Sequence, residues 1–202
     1  MERSADRDLI NGILKKDDQA ILRFIQTYQD QIYWQAHRML RSAQDAEEAC
    51  QDVFMKSLGR MEKFEGRCSL STWLYKITYT TCLDVIKLRK KTAGEEEIDQ
   101  VSVPEWSEIE SSLALLEMNE QREIIDRCIG MLDETDALVI ELFHLKEMAI
   151  AEIAEITEMT AGAIRIRMMR ARKKLAILLE KLLPAETIKT HRNEGQRSSK
   201  QY

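Results

Sequence analysis

The side chains with the clearest chemical capacity are six cations within ten positions, at 165–174, whose length lets them reach phosphates and base edges of a nucleic acid. They are Arg165, Arg167, Arg170, Arg172, Lys173 and Lys174. Apolar residues lie among and beside these cations at alternating steps of four and three, as on the buried face of a helix. These are Ile164, Met168, Ala171, Leu175 and Leu178. The pattern predicts a helix that is anchored by its apolar stripe and presents its cations to a polyanion.

The residues before this helix predict how it begins. Thr160 suits the N-cap position, because its hydroxyl can accept from backbone N–H groups two or three residues further on. The first turn, made of Ala161, Gly162 and Ala163, is small and uncharged. The backbone there can therefore approach DNA closely, and the positive end of the helix dipole can face a phosphate.

A second helix is predicted just upstream, with Ile150, Ile153 and Ala154 on its inner face and a turn at 157–159. Ala154 is small enough to let the two helices cross closely. A basic helix alone is most often a solvated surface. The tight turn, the capped small-residue start, the apolar seam and the cluster of cations together favour a helix-turn-helix that binds DNA.

The composition favours long helices in one large or two small domains. The chain has 202 residues, 44% of them hydrophobic, with only two prolines and seven glycines, which argues against a turn-rich all-β fold. The formal net charge of −5 has the wrong sign for a nucleic-acid binder. Charge is segregated, however, because 93–123 holds ten acidic side chains and one basic one, whereas cations gather at 87–91 and 165–174. The sequence predicts two cationic surfaces separated by an acidic connector.

Several functional classes are disfavoured. His37, His144 and His191 are isolated, and the sequence has neither metal-ligand spacing nor a glycine-rich phosphate loop. We therefore expect no enzyme activity, no metal and no cofactor. The four cysteines form no CxxC pair and are interpreted as small buried thiols. The polar N-terminus and the absence of a run long enough to cross a bilayer predict a cytoplasmic protein without membrane insertion of its own.

The first half of the chain predicts a helical bundle. Apolar periodicity indicates a helix at about 5–15 and a longer one, capped by Asp17 or Asp18, that ends at about 40. Asp45 is predicted to cap the next helix, with Glu48 three residues later completing a capping box. The opposite face of that helix is polar and mostly acidic, and comprises Glu47, Glu48, Gln51, Asp52 and Lys56. Such a face is most often simply solvated.

The run from Phe64 to Ser71 breaks the helical pattern and is predicted to be a loop, with Ser69 or Ser71 capping the helix after it. That helix interleaves aromatic and hydroxyl side chains with cations. Aromatic rings can stack on unpaired bases while cations hold the backbone. Trp73 is expected in the core, and these residues alone leave open whether the remainder of the helix contacts nucleic acid.

The second half begins after an acidic connector, which is predicted to span 92–118. Helices follow at about 119–131 and from near Asp133, and lead into the helix-turn-helix. The tail at 184–202 loses its apolar residues and is predicted to be disordered. The expected domains are therefore 5–91 and 119–183, joined by a flexible linker.

Three stretches together resemble the sigma-70 family of bacterial transcription initiation factors, specifically the small extracytoplasmic-function group. They are DAEEACQDVFMKSL, FEGRCSLSTWLYKITYTTCLDVIKLRKK and LDETDALVIELFHLKEMAIAEIAEITEMTAGAIRIRMMRARKKL. A helix-turn-helix is common to many regulators, whereas the first two stretches in this order are rather specific to these factors. The resemblance covers 9–183 and implies an all-α fold of two small helical domains, sigma region 2 and sigma region 4.

The resemblance implies a protein that binds core RNA polymerase and directs promoter-specific initiation. Region 2 of the family binds the clamp helices of the polymerase β′ subunit, here through Asp45, Glu48, Gln51 and Asp52. The loop and the helix after it match the part that melts the −10 element and captures an extruded base, which requires a pocket, stacking surfaces and cations. The candidates here are Phe64, Arg67, Ser69, Ser71, Lys76, Tyr79, Thr80, Lys87, Arg89 and Lys90.

Region 4 of the family matches the reader of the −35 element, whose helix lies in the major groove. The candidates here are Thr160, Ala161, Gly162, Ala163, Arg165, Ile166, Arg167, Arg170, Arg172, Lys173 and Lys174. The resemblance further implies the polymerase β flap, promoter DNA and an anti-sigma factor as partners. It implies no cofactor and no catalytic residue.

Three positions depart from the family pattern. Glu147 and Glu158 stand where the family often has glycine, and the predicted DNA binding survives this change if the backbone there avoids positive φ. Ile166 replaces a small hydroxyl residue, so this position either contacts a thymine methyl group or faces away from DNA. A conventional helix-turn-helix regulator, acting without stable polymerase association, is the alternative interpretation; it predicts a ligand pocket or a two-fold dimer.

Overall fold

A computed structural model of the chain describes residues 2–90 and 118–183. Every regular element in these two ranges is a helix, as the composition predicts. The helices are α1 (Glu2–Leu14), α2 (Asp18–Leu40), α3 (Ala43–Arg60), a 3-10 turn (Met61–Lys63), α4 (Leu70–Lys90), α5 (Met118–Gly130), α6 (Glu134–His144), α7 (Ile150–Thr157) and α8 (Ala161–Leu182). The predicted acidic connector, apart from Met118, and the predicted tail lie outside the described residues.

Contacts divide the chain into two compact units. Within the described residues, the first comprises 2–90 and 141–164, and the second comprises 118–140 and 165–183. Helices α6 and α8 therefore each contribute residues to both units. None of the described helices has the length and apolar character that a membrane span requires.

The core of the first unit is built by α1 to α4. Phe24 of α2 lies at its centre, with its ring 5.5 Å from that of Tyr28 and 5.6 Å from that of Phe54 in an edge-to-face arrangement. The fully buried apolar side chains around it include Ile32, Met61, Leu70 and Leu74. The apolar side chains of α1 to α4 thus converge in one core. α7 packs along α4 in the same unit.

The core of the second unit joins α5, the first part of α6 and the greater part of α8. It contains Cys128, Ile129, Leu132, Ala137, Ile140, Ala171, Leu175, Ala176, Leu179 and Leu183. Ala171 and Leu175 belong to the predicted apolar stripe of α8, and Ile164 and Met168 of that stripe are buried as well. The stripe therefore anchors the basic helix, as its spacing predicts.

Several helix starts follow the predicted capping chemistry. The Asp17 carboxylate accepts from the Gln19 N–H at 2.9 Å, and the Thr160 hydroxyl accepts from the Ala163 N–H at 3.2 Å. Ser69, one of two predicted caps for α4, accepts from the Thr72 N–H at 3.0 Å. The loop therefore ends at Ser69, and Ser71 lies inside the helix.

The prediction that Asp45 caps α3 is wrong. Ser42 occupies the cap with extended backbone, and its hydroxyl accepts from the Asp45 N–H at 3.3 Å. Arg41 ends α2 in the left-handed region, so only two residues separate α2 and α3. Asp45 consequently falls in the first turn of α3, where an acidic side chain is stabilised by the positive end of the helix dipole.

DNA binding was expected to survive glutamate at 147 and 158 if the backbone there avoids positive φ, and the structure contradicts that condition. Their φ angles are +52° and +58°, in the left-handed region that favours glycine. Glu158 ends α7 in this conformation, the C-cap geometry that glycine commonly supplies. Both positions therefore have the backbone geometry that glycine usually supplies, although each carries a glutamate side chain.

Candidate nucleic-acid and polymerase interfaces

The cationic side chains of the basic helix α8 differ in how exposed they are. Arg165, Arg170, Arg172 and Lys173 are exposed, whereas Arg167 and Lys174 are only partly so. Arg167 donates to the carboxylate of Asp136 and, at 3.4 Å, to that of Asp133. The predicted cationic surface therefore exists, but Arg167 is directed to the start of α6 within the second unit.

The outer face of α8 also carries apolar side chains. Ile166 and Met169 are 50% and 51% exposed, respectively. Ile166 thus does not turn into the core, and an apolar contact with a thymine methyl group is open to it. The exposed Met169 was not predicted from the sequence, because it lies outside the apolar stripe and no periodic pattern marks it. The first turn keeps Gly162 exposed and Ala161 and Ala163 partly exposed.

Several candidates on the loop and α4 are used inside the first unit. Ser69 accepts from the Thr72 N–H and lies 2.8 Å from its hydroxyl oxygen. The Ser71 hydroxyl donates to Gln31 Oε1 at 2.7 Å, and the Thr80 hydroxyl donates to backbone carbonyls one turn earlier. These three hydroxyls shape the surface through helix capping and helix packing.

The ring of Tyr79 is only 2% exposed. The expectation that this ring is accessible for stacking is therefore contradicted, because Tyr79 lies on the buried side of α4. Tyr75 is also buried, and burial followed by the charge of Glu141 raises its pKa to about 12. Trp73 is partly buried, with its ring 5.1 Å from that of Phe64.

The cations of this surface also differ in their exposure and in their ion-pair partners. Arg67 and Lys87 are exposed, and Arg67 pairs with Glu65 in the loop. Lys76 is half-exposed and lies 3.1 Å from Glu158. Arg89 pairs with Asp45 and donates to the Leu40 carbonyl at 2.9 Å. Lys90 is the last residue of α4, and its side chain lies outside the described residues.

A cleft of about 270 Å³ lies between the loop and α1. Its lining includes Asp6, Arg7 and Asn11 from α1 together with Phe64 and Ser69 from the loop side. Gly66 gives the loop its turn, with φ at +68°. Sequence reasoning found the loop but missed the contribution of α1, because no local pattern brings α1 to 64–69.

The acidic face of α3 is present as predicted. Glu48, Gln51 and Asp52 are exposed, and Asp45 is partly exposed. A hydrogen bond with the Ser42 side chain and then the Arg89 guanidinium lower the pKa of Asp45 from its ordinary value. The Asp45 carboxylate is therefore ionised at neutral pH.

Two features of this face were missed from sequence. Met55 is 73% exposed next to the carboxylates, one turn beyond Gln51 and Asp52. A groove of about 440 Å³ runs between α2 and α3, lined by Ile25, Gln29, Asp30, Tyr33, Glu47, Cys50, Gln51 and Phe54. An acidic rim around apolar side chains is suited to a partner helix that carries cations beside an apolar ridge.

Two of the four cysteine thiols are kept in the protonated form by burial. Burial raises the pKa of Cys82 to about 12 and that of Cys128 to about 11, so both thiols stay protonated at neutral pH. Within 2–90 and 118–183 there is no group of three His, Cys, Asp or Glu side chains placed to hold a metal ion.

Comparison with known protein families gives two matches in order along the chain. Residues 24–92 match the model of Sigma-70 region 2. Residues 122–175 match the model of Sigma-70, region 4. The first match spans α3, the loop and α4, and the second spans the helix-turn-helix.

Similar proteins occur in Bacillus subtilis and Escherichia coli. The chain is 28% identical over 175 residues to the ECF RNA polymerase sigma factor SigW of Bacillus subtilis (strain 168), covering 82% of this chain and 92% of SigW. It is 26% identical over 178 residues to the ECF RNA polymerase sigma-E factor of Escherichia coli (strain K12), covering 85% of this chain and 93% of that factor.

Two solved structures show a similar fold. One is the sigma factor RpoE in complex with the anti-sigma factor NepR from Bartonella quintana, with a TM-score of 0.58 and 19% identity over 78% of this chain and 95% of that chain. The other is CnrH in complex with the cytosolic domain of CnrY, with a TM-score of 0.61 and 20% identity over 88% of this chain and 99% of that chain.

Proposed function

Because this chain belongs to the sigma-70 family, in its extracytoplasmic-function group, we propose that it binds core RNA polymerase through α3 and places two DNA-binding surfaces on promoters. A protein of this family directs promoter-specific transcription initiation. The bond-forming chemistry then belongs to the polymerase, and this chain supplies recognition and strand opening in the cytoplasm, where polymerase acts. The observation that carries the proposal is the presence of both sigma regions, in order, on one chain.

The polymerase-binding surface is proposed to be the exposed face of α3. Glu48, Gln51 and Asp52 supply its charge and hydrogen-bonding groups, and Met55 supplies an exposed apolar side chain. Carboxylates around an apolar contact favour a cationic partner helix, because charge steers association while the apolar contact is desolvated. The clamp helices of the β′ subunit are the proposed partner. Asp45 has a smaller direct role here, because Arg89 already pairs with it.

The −10 surface is proposed to comprise the loop, its cleft and the exposed cations of α4. Arg67, Lys76 and Lys87 provide positive charge for the single strand, and Phe64 borders the cleft that would receive an extruded base. Ser69, Ser71 and Thr80 keep the loop and α4 in place through their hydrogen bonds. Tyr79 is proposed to support this surface from the core, since its ring is buried.

The −35 surface is proposed to be the exposed side of α8. Arg165, Arg170, Arg172 and Lys173 would contact phosphates and base edges, and the small first turn at 161–163 would let the backbone approach a phosphate. Ile166 is placed to contact a thymine methyl group. Arg167 is proposed to hold α8 against α6, because two carboxylates already accept from it. The β flap is the proposed polymerase contact of this half of the chain.

A protein inhibitor is also proposed. Both solved structures with a similar fold are complexes, one with the anti-sigma factor NepR and one with the cytosolic domain of CnrY. A partner of the same kind, binding this chain and blocking its polymerase contacts, would control when it acts.

Transcription with purified components tests the proposed function. Bacterial core RNA polymerase is incubated with fragmented genomic DNA, with and without this protein, and the 5′ ends of the transcripts are mapped. We expect new start sites that depend on the protein and share two upstream elements. An Arg165→Ala, Arg170→Ala variant should still bind polymerase but lose these transcripts. No dependent transcripts, together with binding of the isolated protein to duplex DNA as a dimer, would favour a conventional regulator.

A further inference from the structure

The surface proposed to bind the −10 strand contacts acidic residues at the end of α7, within the first unit. Lys76 Nζ lies 3.1 Å from Glu158 Oε1. Glu155, one turn earlier on α7, lines a cleft of about 140 Å³ together with Phe64, Arg67 and Cys68 of the loop. Glu158 is the C-cap of α7 and Glu155 lies in its last turn, so both carboxylates are at the C-terminal end of α7. Two carboxylates thus face the loop and one cation of α4.

A second contact supports the first. Burial, followed by the charge and hydrogen bond of the Glu155 carboxylate, raises the pKa of the Cys68 thiol. Farther along α2, Arg38 Nε lies 2.7 Å from Glu141 Oε2, and the charge of Glu141 also acts on Tyr75 of α4. The 141–164 segment therefore contacts the loop, α2 and α4 at separate points.

Apolar packing holds α7 in this position. Ile153 and Ile156 are fully buried on its inner side, and α7 packs along α4. Tyr75 and Tyr79 of α4 are buried in the same unit. The carboxylates of Glu155 and Glu158 are consequently held at the surface by a packed helix, so less backbone entropy is lost in forming these contacts than on an unsupported loop.

Glu158 carries a side chain at a backbone position where glycine is usual. A residue with φ of +58° is ordinarily glycine, because a Cβ in the left-handed region costs about 1 kcal/mol or more. Glutamate is accepted here and forms an ion pair with a cation of the proposed −10 surface. A glycine at this position could not form that pair.

We propose that the acidic edge of α7, formed by Glu155 and Glu158, is an internal competitor for single-stranded promoter DNA, covering the loop and α4 until α7 leaves this surface. The proposal rests on the proposed function of the loop and α4 as the −10 surface. The Glu158 carboxylate occupies the place that a phosphate of the strand would take beside Lys76, and Glu155 borders the cleft beside Cys68. A phosphate beside Lys76 would meet the like charge of Glu158, so DNA and α7 compete for the same cation.

The first experiment uses Cys68 as a native reporter of the contact. The full chain is alkylated with a maleimide, and the rate at Cys68 is read peptide by peptide by mass spectrometry. Divided by the thiolate fraction, which the pH profile of each variant gives, that rate should rise about two- to five-fold in both Lys76→Glu and Glu158→Lys, because each replaces attraction with repulsion. The double variant with both substitutions should return the rate to that of wild type. Lys15→Glu, the same substitution at an exposed position just after α1, should leave the rate unaltered.

Equal rates in wild type and all variants would overturn the contact. So would a double variant that reacts as fast as the singles, because an ion pair that can be exchanged must be restored by exchanging it.

The second experiment fixes α7 in place and asks whether DNA is excluded. Glu155→Cys puts a second thiol beside Cys68, and diamide oxidises the two thiols to a disulfide, accepting their two electrons and two protons. The oxidised protein should lose binding to a fluorescent, random-sequence single-stranded DNA at low salt, and dithiothreitol should restore it. Cys68→Ser with Glu155→Cys cannot form this disulfide and serves as the control. A disulfide that forms without reducing DNA binding, or thiols that never form one, would overturn the proposal.

Failure of this inference is distinguishable from failure of the proposed function. Binding of the wild-type chain to core RNA polymerase is measured separately and does not depend on Cys68 or Glu155. If polymerase binds and the disulfide has no effect on DNA, only the internal competitor is overturned. If polymerase does not bind, the proposed function fails, whatever the alkylation rates show.

Discussion

The guanidinium of Arg89 donates to the carboxylate of Asp45, joining the end of α4 to the first turn of α3 across 44 positions of sequence. A second N–H of the same guanidinium donates to the Leu40 carbonyl at the end of α2. Arg89 was predicted to contact the −10 strand and Asp45 to contact polymerase. Their pairing instead makes Arg89 a positioning residue that ties the proposed polymerase-binding helix to the proposed −10 helix.

Arg89→Ala is expected to lower the thermal unfolding temperature by a few degrees and to weaken polymerase binding as well as DNA binding. The reason is that the start of α3 loses its tie to α4. Lys87→Ala removes an exposed cation two residues earlier and should weaken only DNA binding. Thermal unfolding followed by circular dichroism, with polymerase and promoter binding in parallel, checks both variants. A stable Arg89→Ala protein with normal polymerase binding would mean that Arg89 acts only on DNA.

The same pair predicts a pH dependence. The pKa of Asp45 is lowered from 3.8 by its hydrogen bond with Ser42 and then by Arg89, so the ionised carboxylate favours the folded state. This contribution is present above the unfolded-state pKa and is lost as the pH falls through the folded-state value. Asp45→Asn should therefore be less stable than wild type at neutral pH and equal to it in the most acidic samples. Carboxyl chemical shifts should also show a higher Asp45 pKa in Arg89→Ala.

Arg165 and Arg167, two residues apart on α8, are expected to behave differently. Arg167→Ala removes contacts to Asp133 and Asp136 and should cost about 1 kcal/mol of unfolding free energy. Arg165→Ala should leave stability unaltered, weaken promoter binding and reduce the slope of log affinity against log salt by about 1. Urea unfolding and salt-dependent binding of the polymerase complex measure these effects. Equal salt slopes for both variants would contradict the assignment.

Glu147→Gly is expected to stabilise the protein by about 0.5–1 kcal/mol. Its backbone lies at φ of +52°, where glycine has no Cβ strain. Glu123→Gly, in the interior of α5, has the same change of side chain and should destabilise by about 1 kcal/mol, since glycine disfavours helices. Thermal unfolding of both variants gives the comparison. Destabilisation by both would show that the Glu147 side chain makes a favourable contact larger than the backbone strain.

Gly12→Ala is expected to destabilise the first unit by about 1–3 kcal/mol. A Cβ at Gly12 would lie 2.5 Å from the Ala20 Cβ, so α1 and α2 would have to separate. A Cβ at Gly59 of α3 would meet no neighbouring atom within 4 Å, and Gly59→Ala should be neutral or stabilising by up to about 1 kcal/mol. Chemical denaturation of the two variants tests the close approach of α1 to α2.

Local patterns in the sequence predicted most of the fold. The alternating steps on α8 identified its buried side, and Asp17, Ser69 and Thr160 were named as caps or as alternatives for one. These features depend on residues within a turn or two of one another, where helix geometry fixes the relation. Asp45 was misassigned because Ser42, three residues earlier, offers an equally good cap, and the left-handed Arg41 places Ser42 at the helix start.

The functional surfaces were less predictable than the helices that carry them. Whether a cation faces solvent or a carboxylate depends on partners far away in sequence, as for Arg89 with Asp45 and Arg167 with Asp136. Tyr79 was a −10 candidate because of the family resemblance, but its position on α4 turns it inward. The contribution of α1 to the loop cleft and of α2 to the acidic groove arises only from packing between helices.

Co-purification with core RNA polymerase tests the central claim most directly. Wild type is compared with a Glu48→Lys, Asp52→Lys variant, and with a Glu62→Lys, Glu123→Lys variant that makes the same change in net charge at exposed positions elsewhere. Wild type and the control should co-elute with core polymerase, whereas the α3 variant should bind about ten-fold more weakly or not at all, because like charges then face each other at the interface. Equal binding by all three proteins, or none by wild type, would contradict the assignment of α3 as the polymerase-binding helix.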